Sequence, residues 1–192
     1  MSRHTLMTIG HSTLPIEVFV RALTENGCDM LVDVRRFPGS RRNPQYGQER
    51  LFASLAEAGI RSAWREGMGG RRAPRPDSEN TGWRNESFRG YADYMQTPKF
   101  AAEMAWLIEQ LEHHTAAVMC AEALPWRCHR SLIADAIVAQ GMAAEDIMVM
   151  AEGKSSRQTH RLPEFARVIG GRLTYPGVRD ATPDLFGGVN SQ

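Results

Sequence analysis

Short, continuous apolar runs alternate along this chain with stretches whose apolar residues recur every three or four positions, the pattern of buried strands interleaved with helices. Thr5 to Ile9 reads as a first strand ending at Gly10-His11-Ser12, followed by a helix from about Pro15 to Glu25 that Asn26-Gly27 closes. Met30 to Val34 reads as the next strand, and this β-α-β start implies a parallel sheet. Pro and Gly make 38 to 47 a loop before a helix near Gln48 to Glu57, which Gly59 stops, and Ile60 to Trp64 is a short strand. Arg65 to Ser87 is the longest irregular stretch, of a length that is usually functional or disordered. Helices at Phe88 to Tyr94 and Lys99 to His113, a buried strand at Ala116 to Met119, an amphipathic helix at Ser131 to Ala139 and a strand at Asp146 to Met150 complete the pattern. Beyond Glu152 the character changes: Gly153 to Arg157 reads as mobile, Leu162 to Ile169 as a helix and Arg172 to Tyr175 as a last strand.

These elements predict one α/β domain over residues 1–175, with a mostly parallel sheet and helices on both faces, and an extended tail over 176–192. In such sheets ligands bind at the carboxyl ends of the strands, so the site is expected there. A chain of 192 residues is long enough for a proper core. Its start has neither a long apolar region nor a small-residue cleavage site, and no segment approaches bilayer length, so a cytoplasmic protein with no membrane partner is expected. Three cysteines, an odd number, do not make a disulfide framework and leave thiols free for chemistry.

A net charge of +1 argues against a protein that coats nucleic acid in general, but its distribution changes the picture. Residues 35 to 50 hold five arginines against one acid, Glu49, and residues 61 to 89 hold seven against four. Lysine is nearly absent, and arginine's planar fork suits phosphate and carboxylate better than an ammonium does.

The richest stretch runs from Val118 to Asp135, where Cys120 and Cys128 flank a polar turn between a strand and a helix. Cys120 is expected at the strand's carboxyl end, and Cys128 and His129 in the helix's first turn, where free N–H groups stabilise a thiolate or an anion. The plainer reading makes Cys120 a small core residue, His129 a helix cap and Arg127 and Arg130 surface charges. Gly10-His11-Ser12 offers an acid/base and a phosphate donor, or else a turn in which Ser12 caps the following helix. Asp33 and Arg35 alternate on one face at a strand end, where they pair with each other or meet one ligand, and Ser40, Arg41 and Arg42 follow as phosphate contacts. The loop with Trp64, Arg65, Gly69, Gly70, Arg71, Arg72, Arg75, Trp83, Arg84, Phe88 and Arg89 suits a lid over a nucleotide or a single-strand surface; alternatively, its aromatics pin it to the core. Zinc on Cys120, Cys128, His129 and His11 is the lesser reading, because no paired C-x-x-C exists and a seven-residue gap is an unusual zinc spacing.

Taken together, Gly10-His11-Ser12, Asp33-Val34-Arg35 with Pro38 and Ser40-Arg41, Gly69-Gly70, Phe88 to Tyr94, and Met119-Cys120-Ala121-Glu122 leading to Cys128-His129-Arg130 resemble the bacterial and archaeal family called Domain of Unknown Function 488. The resemblance spans residues 5 to about 175 and implies that these polar positions form one site at the sheet edge. A looser similarity is to rhodanese-like domains, which share the order of Asp-Val-Arg strand end, cysteine loop and Arg-Ser helix start. The loop after Cys120 departs from theirs: it is longer, lacks glycine and contains Pro125 and Trp126, which do not curl into an anion cradle.

The expectation is a cysteine-dependent transferase or hydrolase acting on a phosphate-bearing substrate, a nucleotide or nucleic acid. Cys128 or Cys120 would be the nucleophile, His129 or His11 the proton partner and Glu122 or Asp33 an orienting acid. Ser12, Arg35, Ser40, Arg41, Gly69, Gly70, Arg71 and Arg130 would hold the substrate. The competing readings are a non-catalytic nucleic-acid-binding module linked to DNA repair and a rhodanese-like sulfurtransferase. The repair link rests on Thr182-Pro-Asp-Leu-Phe186, which resembles Gln-x-x-Leu-Phe peptides that dock into the bacterial sliding clamp, with Leu185 and Phe186 as anchors and Thr182 in place of the glutamine.

Overall fold

The computed structural model describes residues 5–39, 41–150 and 152–177. Ser40, Leu185 and Phe186 therefore lie outside the described residues. Five parallel strands form most of one sheet: β1 (Thr5–Gly10), β2 (Met30–Asp33), β3 (Arg61–Trp64), β4 (Ala116–Cys120) and β5 (Ala143–Val149). A sixth strand, β6 (Ser155–Thr159), pairs antiparallel with β5, giving the order β3-β2-β4-β1-β5-β6. The helices are α1 (Ile16–Glu25), α2 (Gln48–Glu57), α3 (Glu86–Met95), α4 (Pro98–His113) and α5 (Arg130–Ala139).

The period-two alternation of each strand divides the core into two layers. Met7, Ile9, Leu31, Ala117 and Met119 pack against Phe19 and Leu23 of α1 and Leu51 and Leu55 of α2. Leu6, Val32, Ala116 and Val118 point the other way, to Tyr91 of α3, Leu107 and Leu111 of α4 and Ile133 and Ile137 of α5. Both faces of the sheet are thus covered, which is why the strands read as continuous apolar runs. β1, β2 and β4 end together, so Gly10, Asp33 and Cys120 are delivered to one edge.

Three expectations are corrected. Residues 155–159 are a strand, not a mobile segment; Ser155-Ser-Arg-Gln-Thr159 lies at the sheet edge and carries no apolar alternation by which to announce itself. No helix forms over 162–169: β7 (Arg167–Ile169) instead pairs with β8 (Arg172–Thr174) around Gly170 and Gly171, both left-handed at φ 56° and 79°. α5 is buried all round from Arg130 to Ile137 rather than amphipathic, because Tyr175 and His160 of the C-terminal segment cover its Asp135. No helix among the described residues is long and apolar enough to cross a membrane.

Candidate functional site

At the end of β4 the chain leaves the sheet, makes a 3₁₀ turn at Pro125–Arg127 and returns, so that Cys128 and His129 immediately precede α5 rather than occupying its first turn. This return brings Cys128 beside Cys120. The two sulfurs and a ring nitrogen of His129 all lie within 4.8 Å of one another. His129 Nε2 is 3.1 Å from the carbonyl oxygen of Val34, which can only accept, so Nε2 carries the proton. Nδ1 then faces the thiols, 3.7 Å from Cys128 Sγ and 3.9 Å from Cys120 Sγ.

This arrangement separates the two cysteines chemically. The hydrogen bond from Cys120, with His129 and the charge of Arg130 beside it, overcomes burial and holds the Cys128 thiol well below the ordinary range. Cys120 is pushed well above it by its hydrogen bond to Cys128 and by burial. One proton is shared, with the thiolate on Cys128 and the thiol on Cys120. Cys128 is buried and Cys120 partly exposed. Cys28 sits apart in the core, 3.4 Å from the Met7 sulfur, and burial raises its thiol to about 12.

Arg130 is only 1% exposed and faces inward. Its guanidinium donates to the carbonyl oxygens of Glu122 and Ala123 and to Thr8 Oγ1, fastening the Cys120–Cys128 loop to β1. Gly10 is required for the same reason, because any Cβ there would run into the Glu122 carbonyl. Three of the loop's amides are also committed: Ala123 donates to Glu122 Oε1, Arg127 to Leu124 O and Cys128 to Pro125 O. Glu122 itself is exposed, with its carboxylate on its own loop.

The second polar group lies alongside on β1 and β2. Asp33 and Arg35 form a buried two-pronged pair, with Nε 2.9 Å from Oδ1 and Nη2 2.6 Å from Oδ2. Arg35 Nη1 is 3.5 Å from His11 Nε2. His11 donates from Nδ1 to its neighbour's Ser12 carbonyl at 2.8 Å and stacks on Tyr46, with ring centroids 3.9 Å apart. Burial, with Arg35 facing it, lowers the His11 pKa to about 4 despite the Ser12 bond, so the ring is neutral at pH 7. The pair and the histidine therefore brace the strand ends, and His129 is the histidine that meets the sulfurs.

The rim is built from the first half of the long loop. A Cβ on Gly70 would sit 2.8 Å from His129 Nδ1, and one on Gly69 would sit 2.9 Å from Arg36 Cα, so both glycines permit close approach. Arg71 follows in the left-handed region at φ 59°, its carbonyl accepting from Arg36 Nη1 at 2.9 Å. Ser12, at φ 46°, is the other described non-glycine residue held there. Backbone strain of this kind concentrates at functional sites. Phe37 is 62% exposed, with the guanidinium groups of Arg36 and Arg71 each 5.7 Å from its ring. Arg41 is exposed on the same β2–α2 connection.

The rest of that loop is packed down in part, while Arg75 and Arg84 stay exposed. Arg65 pairs with Glu103 at 2.7 Å, Arg72 lies over Tyr94, and Trp83 packs against Phe88, Phe165 and Tyr175. Three participants were not picked out in the sequence: the Val34 carbonyl, the Phe37 ring, and Tyr91, whose ring lies 5.1 Å from that of His129. An aromatic directly after Arg35-Arg36 was the one signal available for Phe37 in the sequence; the others are products of the fold.

The Cys120, Cys128 and His129 atoms also form a set able to hold a thiophilic metal. Tetrahedral zinc, with Zn–S about 2.3 Å and Zn–N about 2.0 Å, places sulfur and nitrogen roughly 3.5 Å apart, close to the separations here. The His129 bond to Val34 is the outer-shell partner such a ligand uses.

Comparison with known proteins places the chain in a family: it belongs to the family described as Domain of unknown function DUF488, whose model matches residues 15–137. That span contains Asp33, Arg35, Gly69, Gly70, Cys120, Cys128 and His129, while His11 and Ser12 precede it. Neither the curated proteins nor the solved structures searched contain a match to this chain.

Proposed function

We propose that this protein is a thiol-dependent transferase or hydrolase acting on a phosphate-bearing substrate of the nucleotide or nucleic-acid class. The observation that carries the reading is the close set of Cys128, His129 and Cys120, in which a histidine tied to the Val34 carbonyl through one ring nitrogen turns the other toward both sulfurs. Cys128 is already ionised, so its Sγ forms a bond to the electrophilic atom of the substrate while the bond to the leaving group breaks, and that group departs with its electron pair and takes a proton from water. His129 Nδ1 then accepts the proton of the water or acceptor that attacks the intermediate, and the bond to Sγ breaks to restore the thiolate. Water, or an acceptor in the transferase case, releases the covalent intermediate. Cys120 keeps its proton and hydrogen-bonds the sulfur, while Arg36, Arg41 and Arg71 supply guanidinium forks for phosphate and Phe37 a ring for stacking. Arg35 and Arg130 act indirectly, by holding the strand ends and the loop.

The test is incubation of the full chain with a panel of nucleotides and short oligonucleotides, followed by mass spectrometry for turnover and for a covalent adduct. Turnover lost in Cys128→Ser and His129→Ala supports the reading. Turnover that survives Cys128→Ser, or none with any member of the panel, overturns it.

The sulfur-to-nitrogen separations favour a second reading, a metal site on the same three residues. Elemental analysis of the purified protein separates the two: stoichiometric zinc, lost in Cys120→Ser and Cys128→Ser, would make the sulfurs ligands rather than nucleophiles.

A further inference from the structure

A cavity of about 350 Å³ opens between α5, the β5–β6 pair and the 3₁₀ turn that carries Trp126. Its walls combine three aromatic side chains, Trp83, Trp126 and Phe165, with Asp135, Asp146 and His160. The polar group is closely specified. His160 Nε2 is 2.8 Å from Asp135 Oδ1 and Nδ1 is 2.9 Å from Asp146 Oδ2, so with a carboxylate on each side both ring nitrogens donate and the ring is an imidazolium. Tyr175 donates to the other oxygen of Asp135 at 2.7 Å, and Thr8 to the other oxygen of Asp146 at 2.6 Å.

We infer that this cavity binds a nucleobase bearing an exocyclic amine. Three observations narrow the ligand. The ionised groups of the lining balance, with Asp135 and Asp146 against His160 and Arg161, which favours a neutral ligand over an ammonium. Both hydrogen-bonding senses are on offer: the carboxylate oxygens have lone pairs left for N–H donors, and the buried indole N–H of Trp83 has no partner among the described residues and calls for an acceptor. The aromatic walls select a flat ring, and Trp126, 60% exposed, is free to stack on one face of it. An exocyclic amine brings two N–H donors to a wall that carries two carboxylates, beside a ring or carbonyl acceptor, in adenine, guanine and cytosine, whereas uracil and thymine offer a single N–H on that edge.

The cavity also reaches the cysteine loop. Thr8, bonded to Asp146, accepts from Arg130, whose other nitrogens hold the Glu122 and Ala123 carbonyls, and Trp126 belongs to that same loop. A base bound here touches the segment that sets Cys120 against Cys128. Only this coupling rests on the thiol-enzyme reading; the base site stands without it.

Cytidine, adenosine, guanosine and uridine are titrated into the full chain, with tryptophan fluorescence and calorimetry as readouts, and oligo-dC and oligo-dT are titrated in parallel. Binding of the amine-bearing nucleosides, at least about tenfold tighter than uridine and weakened roughly tenfold in Trp126→Ala, is the expected result. Preference for oligo-dC over oligo-dT, lost in Trp126→Ala, with no binding of free cytidine, assigns the base to a single strand. The inference is overturned if no amine-bearing nucleoside or oligonucleotide binds, if uridine binds equally well, or if Trp126→Ala and His160→Gln both bind as the parent does. Cys128 alkylation rates measured in the same samples report the thiol separately, so failure of the base site is distinguishable from failure of the catalytic reading.

Discussion

His129 Nδ1 stands 3.7 Å from Cys128 Sγ because the opposite ring nitrogen, Nε2, is tied to the Val34 carbonyl. A contact between neighbours in sequence thus depends on the end of β2, nearly a hundred positions away. The carbonyl fixes which nitrogen carries the proton, and that choice decides which nitrogen the sulfurs meet.

Gly70→Ala tests this orientation from outside the cluster. The added methyl lies 2.8 Å from His129 Nδ1, and the ring has no flexible end that could yield. The expected outcome is a fold that survives, a His129 ring turned from the sulfurs and a Cys128 pKa moved up toward the ordinary thiol range, read by pH-dependent alkylation. An unchanged profile would show that the ring is not what sets the thiol.

Asp33→Ala should be costly, since it leaves Arg35, 6% exposed, without the carboxylate that takes its fork. Loss of one partner of a buried pair costs about 3–5 kcal/mol. Urea denaturation measures it, and the double variant Asp33→Ala, Arg35→Met should recover part of the loss because the stranded charge is gone.

His11 predicts acid sensitivity. Its pKa is lowered from 6.5 to about 4 by burial, so the unfolded chain takes up this proton first as pH falls. Its contribution is fully present above about pH 6.5 and is lost as pH falls through about 4. His11→Phe keeps a ring over Tyr46 and should flatten the urea-unfolding profile across that window.

His160 predicts the opposite sign. Burial alone would lower its pKa, but the hydrogen bonds to Asp135 and Asp146 outweigh it and raise it from 6.5 to about 9. Its contribution, on the order of 3 kcal/mol, is complete below about pH 6.5 and lost as pH rises through about 9. His160→Gln should be less stable than the parent at neutral pH and should lose less on going to alkaline pH.

Much of the fold was legible in the chain because a parallel sheet covered on both faces writes its strands as short apolar runs, as at Leu6 to Ile9 and Ala116 to Met119. β6 was not legible: an edge strand exposed on both faces needs no apolar alternation, and Ser155 to Thr159 has none. The cysteine cluster was legible as residue types, since Cys120 and Cys128-His129 flank one loop. Their pairing was less so, and spacing alone counted against a metal site, because the turn at Pro125–Arg127 that folds Cys128 back onto Cys120 leaves no mark in the interval. Arg130 illustrates the limit: a cation beside a cysteine reads as an anion clamp, while here its nitrogens are taken up by Thr8, Glu122 and Ala123. The His160 cavity was invisible, since its four ionisable residues come from α5, β5 and the stretch after β6.

The central claim is the unequal ionisation of two adjacent cysteines, and ultraviolet thiolate absorbance followed through a pH titration tests it without requiring access to a buried sulfur. The parent, Cys128→Ser and Cys120→Ala are compared after dialysis against a chelator. The account predicts a thiolate signal in the parent that persists well below the ordinary thiol pKa of about 8.5, is absent in Cys128→Ser and moves to higher pH in Cys120→Ala. A signal that rises only in the ordinary range or above it, or that survives at low pH without Cys128, would contradict it.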